Sequence, residues 1–236
     1  MRYDKKIVIS GDVIEVYRYS LPVEYGFEDV KKVGRRGDGR PLDDETKFRN
    51  REKVLGRARR DLRRLINSNM CDGAKFLTLT FRENVIDLKM ANYEFKKFRR
   101  RLEWELGFKA RYVAVVEFQK RGAIHYHVLF FNMPYMPANR LGDIWGQGFI
   151  KINKIDGVDN LGAYVCKYMT KTDDERLLGQ KMYFSSRGLK KPIEVKGLAG
   201  EDSLDAVSPA GVPDFEATFD GDYYRVFYAQ YNRKKR

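Results

Sequence analysis

The sequence predicts an α+β fold in which most strands pair antiparallel. Short segments rich in alternating apolar residues occur as neighbours joined by short turns, which is the pattern of hairpins. Longer segments repeat apolar residues at helical spacing, and their order among the strands leaves few parallel crossovers. The 236 residues are 43% hydrophobic and 33% charged, a composition typical of a globular chain that buries a core.

The elements alternate hairpins with amphipathic helices. From the N-terminus we expect two strands within 6–19, a cationic glycine-rich loop at 30–41, a helix from Asp43 or Asp44 to about Asn67, a strand at 75–81 and a helix at 90–106. Strands at 111–118, 124–131 and 148–155 follow, then a helix at 157–172, a short strand with a basic turn in 181–192 and a hairpin in 213–231. On the helix at 90–106 we assign Phe98, Leu102 and Trp104 to apolar positions.

This order predicts three parts. An N-terminal hairpin and basic helix occupy 1–70, a core domain occupies 71–195, and an acidic segment with a C-terminal hairpin occupies 196–236 and packs on the same domain. Seven acidic residues and no Lys or Arg lie within 201–222. A solvated connection and a functional segment explain that stretch equally well.

The net charge of +13 favours a polyanionic partner. Between Arg49 and Arg64 the first basic helix carries eight cations against Glu52 and Asp61. We expect DNA contacts from Arg57, Arg60 and Arg64, and from Arg187 and Lys190 in the later basic turn. The alternative for the helix is an ordinary solvated face.

Several classes of protein are excluded by what the sequence lacks. No stretch approaches the ~20 apolar residues of a membrane span, the first residues do not form a signal peptide, and we expect a cytoplasmic protein in a bacterial host. No Gly-x-x-x-x-Gly-Lys-Ser/Thr loop is present, so a built-in ATPase or helicase is not expected. Cys71 and Cys166 are too far apart to predict a thiolate metal site or a disulfide framework, and Cys166 is interpreted as a small helical residue.

His125 and His127 are the only two histidines of the chain, and they lie two residues apart on a predicted strand. Side chains at i and i+2 share one face of a strand, so both imidazoles can reach one metal ion. Across the turn at 119–122, Glu117 falls opposite His125 on the same face. Two imidazoles and a carboxylate suit a catalytic divalent cation, Mn²⁺ or Mg²⁺ in function, whereas Zn²⁺, Co²⁺ or Ni²⁺ would bind tightly in vitro. Tyr126 points the other way, into the core.

The predicted helix at 157–172 contains the same four-residue unit twice, Tyr164-Val-Cys-Lys167 and Tyr168-Met-Thr-Lys171. On a helix, Tyr164, Tyr168 and Lys171 share a face, and Lys167 flanks it. By itself this pattern is explained by core packing with lysines that extend to solvent. Beside the histidine pair, it indicates phenol nucleophiles whose anions the lysines favour.

Three motifs together resemble the HUH endonucleases, and among them the two-tyrosine rolling-circle replication initiators (Rep proteins) of phages and plasmids. They are Phe76-Leu-Thr-Leu-Thr-Phe81, the segment Gly122–Phe131 around His125-Tyr126-His127, and the segment Ala163–Lys171. The resemblance spans about 75–172. It implies a five-stranded antiparallel sheet flanked by helices, a divalent metal held by Glu117, His125 and His127, and Tyr164 and Tyr168 as nucleophiles. Tyr126 departs from the usual hydrophobe between the histidines, which leaves the ligand pair intact.

The sequence thus predicts a metal-dependent, site-specific nickase and strand transferase that forms a 5′-phosphotyrosine link and starts rolling-circle replication. Its substrate is expected to be single-stranded or hairpin origin DNA, with a host helicase, DNA polymerase and single-strand-binding protein as partners. A conjugative relaxase or single-strand transposase uses related chemistry. A non-catalytic DNA-binding regulator with structural histidines is the alternative of a different class.

Overall fold

A computed structural model describes residues 1–24, 43–119, 121–153, 155, 160–170, 181, 183–198, 200–221 and 224–235. The chain divides into two compact units, one formed by 57–190 and the other by 1–56 with 191–236. Each unit contains a five-stranded sheet whose strand pairs are all antiparallel. The predicted antiparallel α+β class is confirmed, whereas the second sheet was not predicted. The expected loop at 30–41 lies outside the described residues.

The helices and strands follow one another along the chain with these bounds. They are β1 (Arg2–Ser10), β2 (Val13–Glu24), α1 (Asp44–Asn67), β3 (Lys75–Thr80), α2 (Leu88–Leu106), β4 (Tyr112–Phe118), β5 (Ile124–Phe130), α3 (Ala138–Trp145), β6 (Ile150–Asn153), α4 (Leu161–Thr170), β7 (Tyr183–Ser185), β8 (Ile193–Gly197), α5 (Asp202–Asp205), β9 (Phe215–Asp220) and β10 (Arg225–Asn232). No described helix combines the length and the apolar character needed to cross a membrane.

The unit at 57–190 is built on a sheet of order β6-β3-β5-β4-β7. One face of this sheet packs against α2 and α3, and its core includes Tyr126, whose ring stacks on Phe95 at 4.8 Å. The other face packs against the end of α1 and against α4. The strand alternation predicted for Tyr126 and the histidines is therefore confirmed, since they lie on opposite faces of β5.

Helix α2 begins and ends where its sequence signals lie. Asp87 accepts a hydrogen bond from the Lys89 amide at the N-terminus, and Gly107 ends the helix with a φ of 73°. Phe98 and Leu102 are buried as predicted, but Trp104 is 82% exposed. Its assignment to the apolar face is wrong because two residues after Leu102 correspond to a rotation of roughly 200° around the helix.

The unit at 1–56 and 191–236 has the strand order β8-β1-β2-β10-β9. The predicted N-terminal and C-terminal hairpins are present, and β10 pairs directly with β2. The segments expected as separate parts at 1–70 and 196–236 therefore share one sheet. The predicted start of the basic helix is also confirmed, because Asp43 accepts a hydrogen bond of 2.7 Å from the Thr46 amide.

Candidate active site

The register of three strands brings the candidate metal ligands to one face of the sheet. Glu117 of β4 is the direct partner of His125 on β5, as the turn geometry predicted. On the other side of β5, Thr78 of β3 is the partner of His127. Glu117 and His127 are buried, with exposed fractions of 8% and 4%. The sheet thus holds a carboxylate and an imidazole within a largely dehydrated site.

A chain of hydrogen bonds fixes the ring of His127. Asn153 donates from Nδ2 to Thr78 Oγ1 at 2.9 Å, and this hydroxyl lies 3.1 Å from His127 Nδ1. His127 Nε2 lies 2.5 Å from Glu117 Oε2. Because the amide of Asn153 can only donate, the Thr78 hydroxyl is left to donate to Nδ1, and the imidazole proton is directed from Nε2 to the carboxylate. Metal binding at Nε2 would therefore release this proton and reverse the hydrogen bond with Thr78.

His125 is held separately from that chain. Its Nδ1 lies 3.1 Å from Gln119 Nε2. Burial lowers the pKa of His125, and the neighbouring charge of His127 lowers it further. A neutral ring is the form that binds a metal, and a half-turn of the Gln119 amide would let Nδ1 donate and leave Nε2 as the ligand atom.

The donor types fit a divalent cation, but the side chains do not yet form a complete cluster. No group of three or more His, Cys, Asp or Glu side chains comes together within the described part of the chain. Glu117 and His127 are the pair whose donor atoms meet, and His125 shares their face without completing a group. The chemistry of the set suits Mn²⁺ or Mg²⁺, so the metal remains a proposal that rests on donor chemistry.

The two tyrosines of α4 lie against this pair. The ring of Tyr168 stacks on the ring of His127 with centroids 3.8 Å apart, and its hydroxyl is 3.3 Å from that of Tyr164. Phe76 packs against both phenols at 5.6 and 5.9 Å. Burial raises the pKa of Tyr168, and the hydrogen bond with Tyr164 and the charge of Glu117 raise it further. A positive charge beside Glu117 would oppose the last of these effects.

The lysines of the tyrosine motif are only partly described. Lys167 is exposed, and its Nζ lies 5.8 Å from the centroid of the Tyr164 ring. Lys171 falls outside the described residues. The sequence interpretation of Lys171 as a group that favours the phenolate therefore stays a prediction.

Close contact with α1 fixes the position of α4. A Cβ at Gly162 would lie 2.6 Å from both Arg63 O and Asn67 Oδ1. One turn later Cys166 donates from Sγ to Arg59 O at 3.2 Å. Burial raises the pKa of the Cys166 thiol to about 11, so this residue packs between helices and is unsuited to nucleophilic chemistry, as the sequence indicated.

The expected DNA-binding residues differ in exposure. Arg57 and Arg60 are exposed on α1, and Arg187 and Lys190 are exposed on the turn after β7. Asn69 holds that turn through two hydrogen bonds of 2.8 Å to the backbone of Lys190. Arg64 is buried, with an exposed fraction of 9%, and is placed against the protein interior. The expected phosphate contact of Arg64 is therefore wrong, because helical spacing turns this position away from solvent.

Sequence reasoning did not assign roles to the residues that orient the site. They are Phe76, Thr78, Gln119, Asn153 and Gly162. Thr78 and Asn153 meet His127 only through the pairing of β3 with β5 and β6, which joins segments about 50 and 75 residues apart. A signal was present for Thr78, since Phe76, Thr78 and Thr80 alternate on one face of a predicted strand. The sequence did not say which residues that face would meet.

The part of the chain that carries this site matches a known family. Residues 74–173 match the model of a family of replication-associated proteins, the one that includes ORF2. This match supports a replication initiator. It includes Glu117, both histidines and both tyrosines within its bounds. Comparisons of the chain with curated proteins and with solved structures found no match.

Proposed function

We propose that the protein is a metal-dependent, site-specific nickase and strand transferase for single-stranded DNA that starts rolling-circle replication. It would be a two-tyrosine enzyme of the HUH type, with the sheet of unit 57–190 as its catalytic core. The observation that carries the proposal is the stacking of Tyr168 on His127, which itself contacts Glu117. The family match over 74–173 supports the same function.

The chemistry is a transfer of one phosphoryl linkage to tyrosine. The phenol oxygen of Tyr164 or Tyr168 attacks the scissile phosphorus, and the bond from phosphorus to the 3′ oxygen breaks. The phenol loses its proton and the leaving oxygen gains one, so the products are a 5′-phosphotyrosine link and a free 3′ hydroxyl. Attack by that hydroxyl, or by another, reverses the step. Because the link preserves the phosphodiester energy, rejoining needs no ATP.

Two adjacent phenols suit a reaction that must cut twice. The 3.3 Å between the hydroxyls of Tyr164 and Tyr168 is consistent with both reaching one phosphate site. One tyrosine would keep the parental 5′ end while the other cuts after a round of synthesis. Lys167 and Lys171 would favour the phenolate and neutralise the phosphate.

Glu117, His127 and His125 would hold the divalent cation. When bound, Mn²⁺ or Mg²⁺ would polarise the scissile phosphate. Without positive charge at this place, burial and Glu117 disfavour the Tyr168 phenolate, since they raise the pKa of Tyr168. His127 stacks on Tyr168 and would keep its ring beside the phosphate. The host helicase, polymerase and single-strand-binding protein remain proposed partners, with the cytoplasm as the proposed location.

Covalent capture tests the proposal without knowledge of the origin. The full chain is incubated with a randomised single-stranded DNA library and Mn²⁺, denatured, and separated from free DNA, and the linked strands are sequenced. We expect an enriched cleavage sequence attached through its 5′ phosphate. Tyr164→Phe and Tyr168→Phe should each retain weaker adduct formation, and the double variant should lose it.

Matched controls separate chemistry from folding and binding. Tyr135→Phe changes an exposed tyrosine of the same unit and should leave the adduct unchanged. His127→Ala and chelation of Mn²⁺ should each remove most of the adduct. An adduct in the double tyrosine variant would disprove the nucleophile assignment, and normal cutting by His125→Ala would remove that residue from the metal site. DNA binding by the wild-type chain with no adduct at all would instead favour a non-catalytic regulator.

A further inference from the structure

Helix α2 carries a straight stripe of cationic and aromatic side chains on its solvent face. Its members are Lys89, Tyr93, Lys96, Arg100 and Trp104, all exposed. Their spacing of three or four residues puts them within a narrow arc of the helix surface, over a length of roughly 23 Å. Tyr93 and Trp104 are 61% and 82% exposed. We refer to these five residues as the α2 stripe.

The acidic side chains of α2 are withdrawn from the stripe or neutralised. Glu94 and Glu103 are buried, and they pair with Lys97 and Arg99 respectively. Glu105 is exposed but is engaged by Arg140 of α3 through two hydrogen bonds. No described carboxylate pairs with Arg100. The exposed face of the helix is thus positive along its length.

Trp104 stands between two clefts. One, of about 460 Å³, is lined by residues of α2 and α3 that include Arg100, Arg140 and Asp143, and the other, of about 490 Å³, includes Arg100 and Lys109. Arg100 lines both clefts. An indole with open space on each side and a cation within reach of both is suited to stacking with flat rings.

The α2 stripe is separate from the tyrosine site. Helix α2 packs on the sheet face that carries Tyr126, whereas Tyr164 and Tyr168 pack on the face that carries His127. A role for Trp104 in the core is excluded by its exposure. The stripe therefore has no part in the proposed nicking chemistry.

We propose that the α2 stripe is a second binding site for single-stranded DNA, in which bases stack on Tyr93 and Trp104 while Lys89, Lys96 and Arg100 contact phosphates. Single strands are favoured over duplex because an exposed ring can stack only on an unpaired, unstacked base. A protein partner is disfavoured because three of the five side chains are charged and two of those are lysines, which interface cores exclude. The site would hold strand away from the scissile phosphate.

The chain offers a direct optical test. It contains two tryptophans, and Trp145 is fully buried with its Nε1 donating to Thr80 O. Quenching of indole emission by added oligothymidylate therefore reports on Trp104. The experiment uses the full chain with Tyr164→Phe and Tyr168→Phe, so no covalent link contributes to binding. We expect strong quenching in this parent protein.

Substitutions assign the signal to the stripe. Trp104→Phe should abolish the quenching yet retain most of the affinity, because a phenyl ring still stacks. Trp104→Ala should weaken binding roughly fivefold or more. Arg100→Ala should weaken binding and reduce the slope of log affinity against log salt by about 0.7. Met90→Ala on the same helix and Tyr135→Ala, both exposed, should leave affinity unchanged.

The outcome is independent of the nicking reaction, since the parent protein lacks both tyrosines. Unchanged indole emission with oligothymidylate, or binding by Trp104→Ala and Arg100→Ala equal to that of the parent, would overturn the second site. Failure of covalent capture by the wild-type chain would overturn the nickase and leave the quenching result standing.

Discussion

Thr78 is the residue that decides how His127 presents its nitrogens. Thr78→Val removes the hydroxyl between Asn153 and His127 while preserving shape, and it leaves Nδ1 without its 3.1 Å partner. Loss of such a supporting hydrogen bond typically costs about 10–100-fold in metal affinity. We expect the Mn²⁺ concentration for half-maximal adduct formation to rise by about that factor. Thr218→Val, at an exposed strand position of the other unit, is the control, and an unchanged Mn²⁺ requirement would contradict the proposed role.

His125 should make the stability of the metal-free protein depend on pH. Burial lowers its pKa below the ordinary value of 6.5, so below pH 6.5 the unfolded chain binds more protons than the folded one. The free energy of unfolding contributed by His125 is therefore present above pH 6.5 and is lost as pH falls through the folded pKa, with a slope of at most about 1.4 kcal/mol per pH unit. Denaturant unfolding at several pH values should show a smaller decrease for His125→Gln than for wild type. Parallel curves would contradict this prediction.

At the scale of single residues, the sequence predicted positions that depend on local periodicity. Glu117 opposite His125 followed from a short turn and strand parity, and Tyr126 in the core followed from alternation. Arg64 and Trp104 were misjudged because a charged or aromatic side chain does not reveal which way its helix turns. The hydrogen bond between Thr78 and His127 depends on a register that no local pattern encodes.

Gly162 is the point where α4 approaches α1 most closely. Gly162→Ala adds a methyl that meets Arg63 O and Asn67 Oδ1 at 2.6 Å, and one of these is a backbone atom that does not move cheaply. We expect a loss of about 1–3 kcal/mol in the free energy of unfolding, as for other overpacked sites, and weaker adduct formation as Tyr164 and Tyr168 shift. Gly56→Ala in α1 meets no atom within 4 Å and should stabilise the protein by about 0.5–1 kcal/mol.

Alkylation of Cys166 reports on the same contact. The thiol is buried and its pKa is about 11, so iodoacetamide should modify exposed Cys71 first and Cys166 slowly. In Gly162→Ala the modification of Cys166, measured by mass spectrometry, should accelerate relative to Cys71. An unchanged ratio of the two rates would mean that α4 accepts the methyl without moving.

Elements with strong local signals were predicted, and short ones were not. Helix α2 has a capping Asp87 and a terminal Gly107, and it was placed within two residues of its start. Helix α3 was missed: it spans eight residues and follows Pro137, which supplies no capping side chain. Short helices of this kind depend on tertiary packing for their stability, and the packing of Leu141, Ile144 and Trp145 is not local information.

At the scale of the whole molecule, the sequence predicted one sheet where there are two. The N-terminal and C-terminal hairpins were each predicted, but β2 and β10 pair across about 210 residues of chain. Hairpin signals are local, whereas the joining of two hairpins depends on matching faces that many strands share. The fold class could therefore be predicted, and the division into units could not.

The existence of two units leads to a prediction about cooperativity. Leu204 of α5 is fully buried against Ile7, Ile14 and Val16, a core made only of residues from 1–56 and 191–236. Leu204→Ala should cost about 2–5 kcal/mol of stability in that unit. The clusters beneath the tyrosine site contain none of these residues, so they should keep their own stability.

Hydrogen exchange of the backbone amides measures where that stability is lost. In Leu204→Ala we expect faster exchange in β1, β2 and β10, with unchanged exchange in β4 and β5 and with covalent capture of DNA retained. Leu198→Ala, at an exposed position of the same unit, should leave both patterns unchanged. Equal acceleration in β5 would show that the two units unfold as one, and the site of His127 and Tyr168 would then depend on the second sheet for its stability.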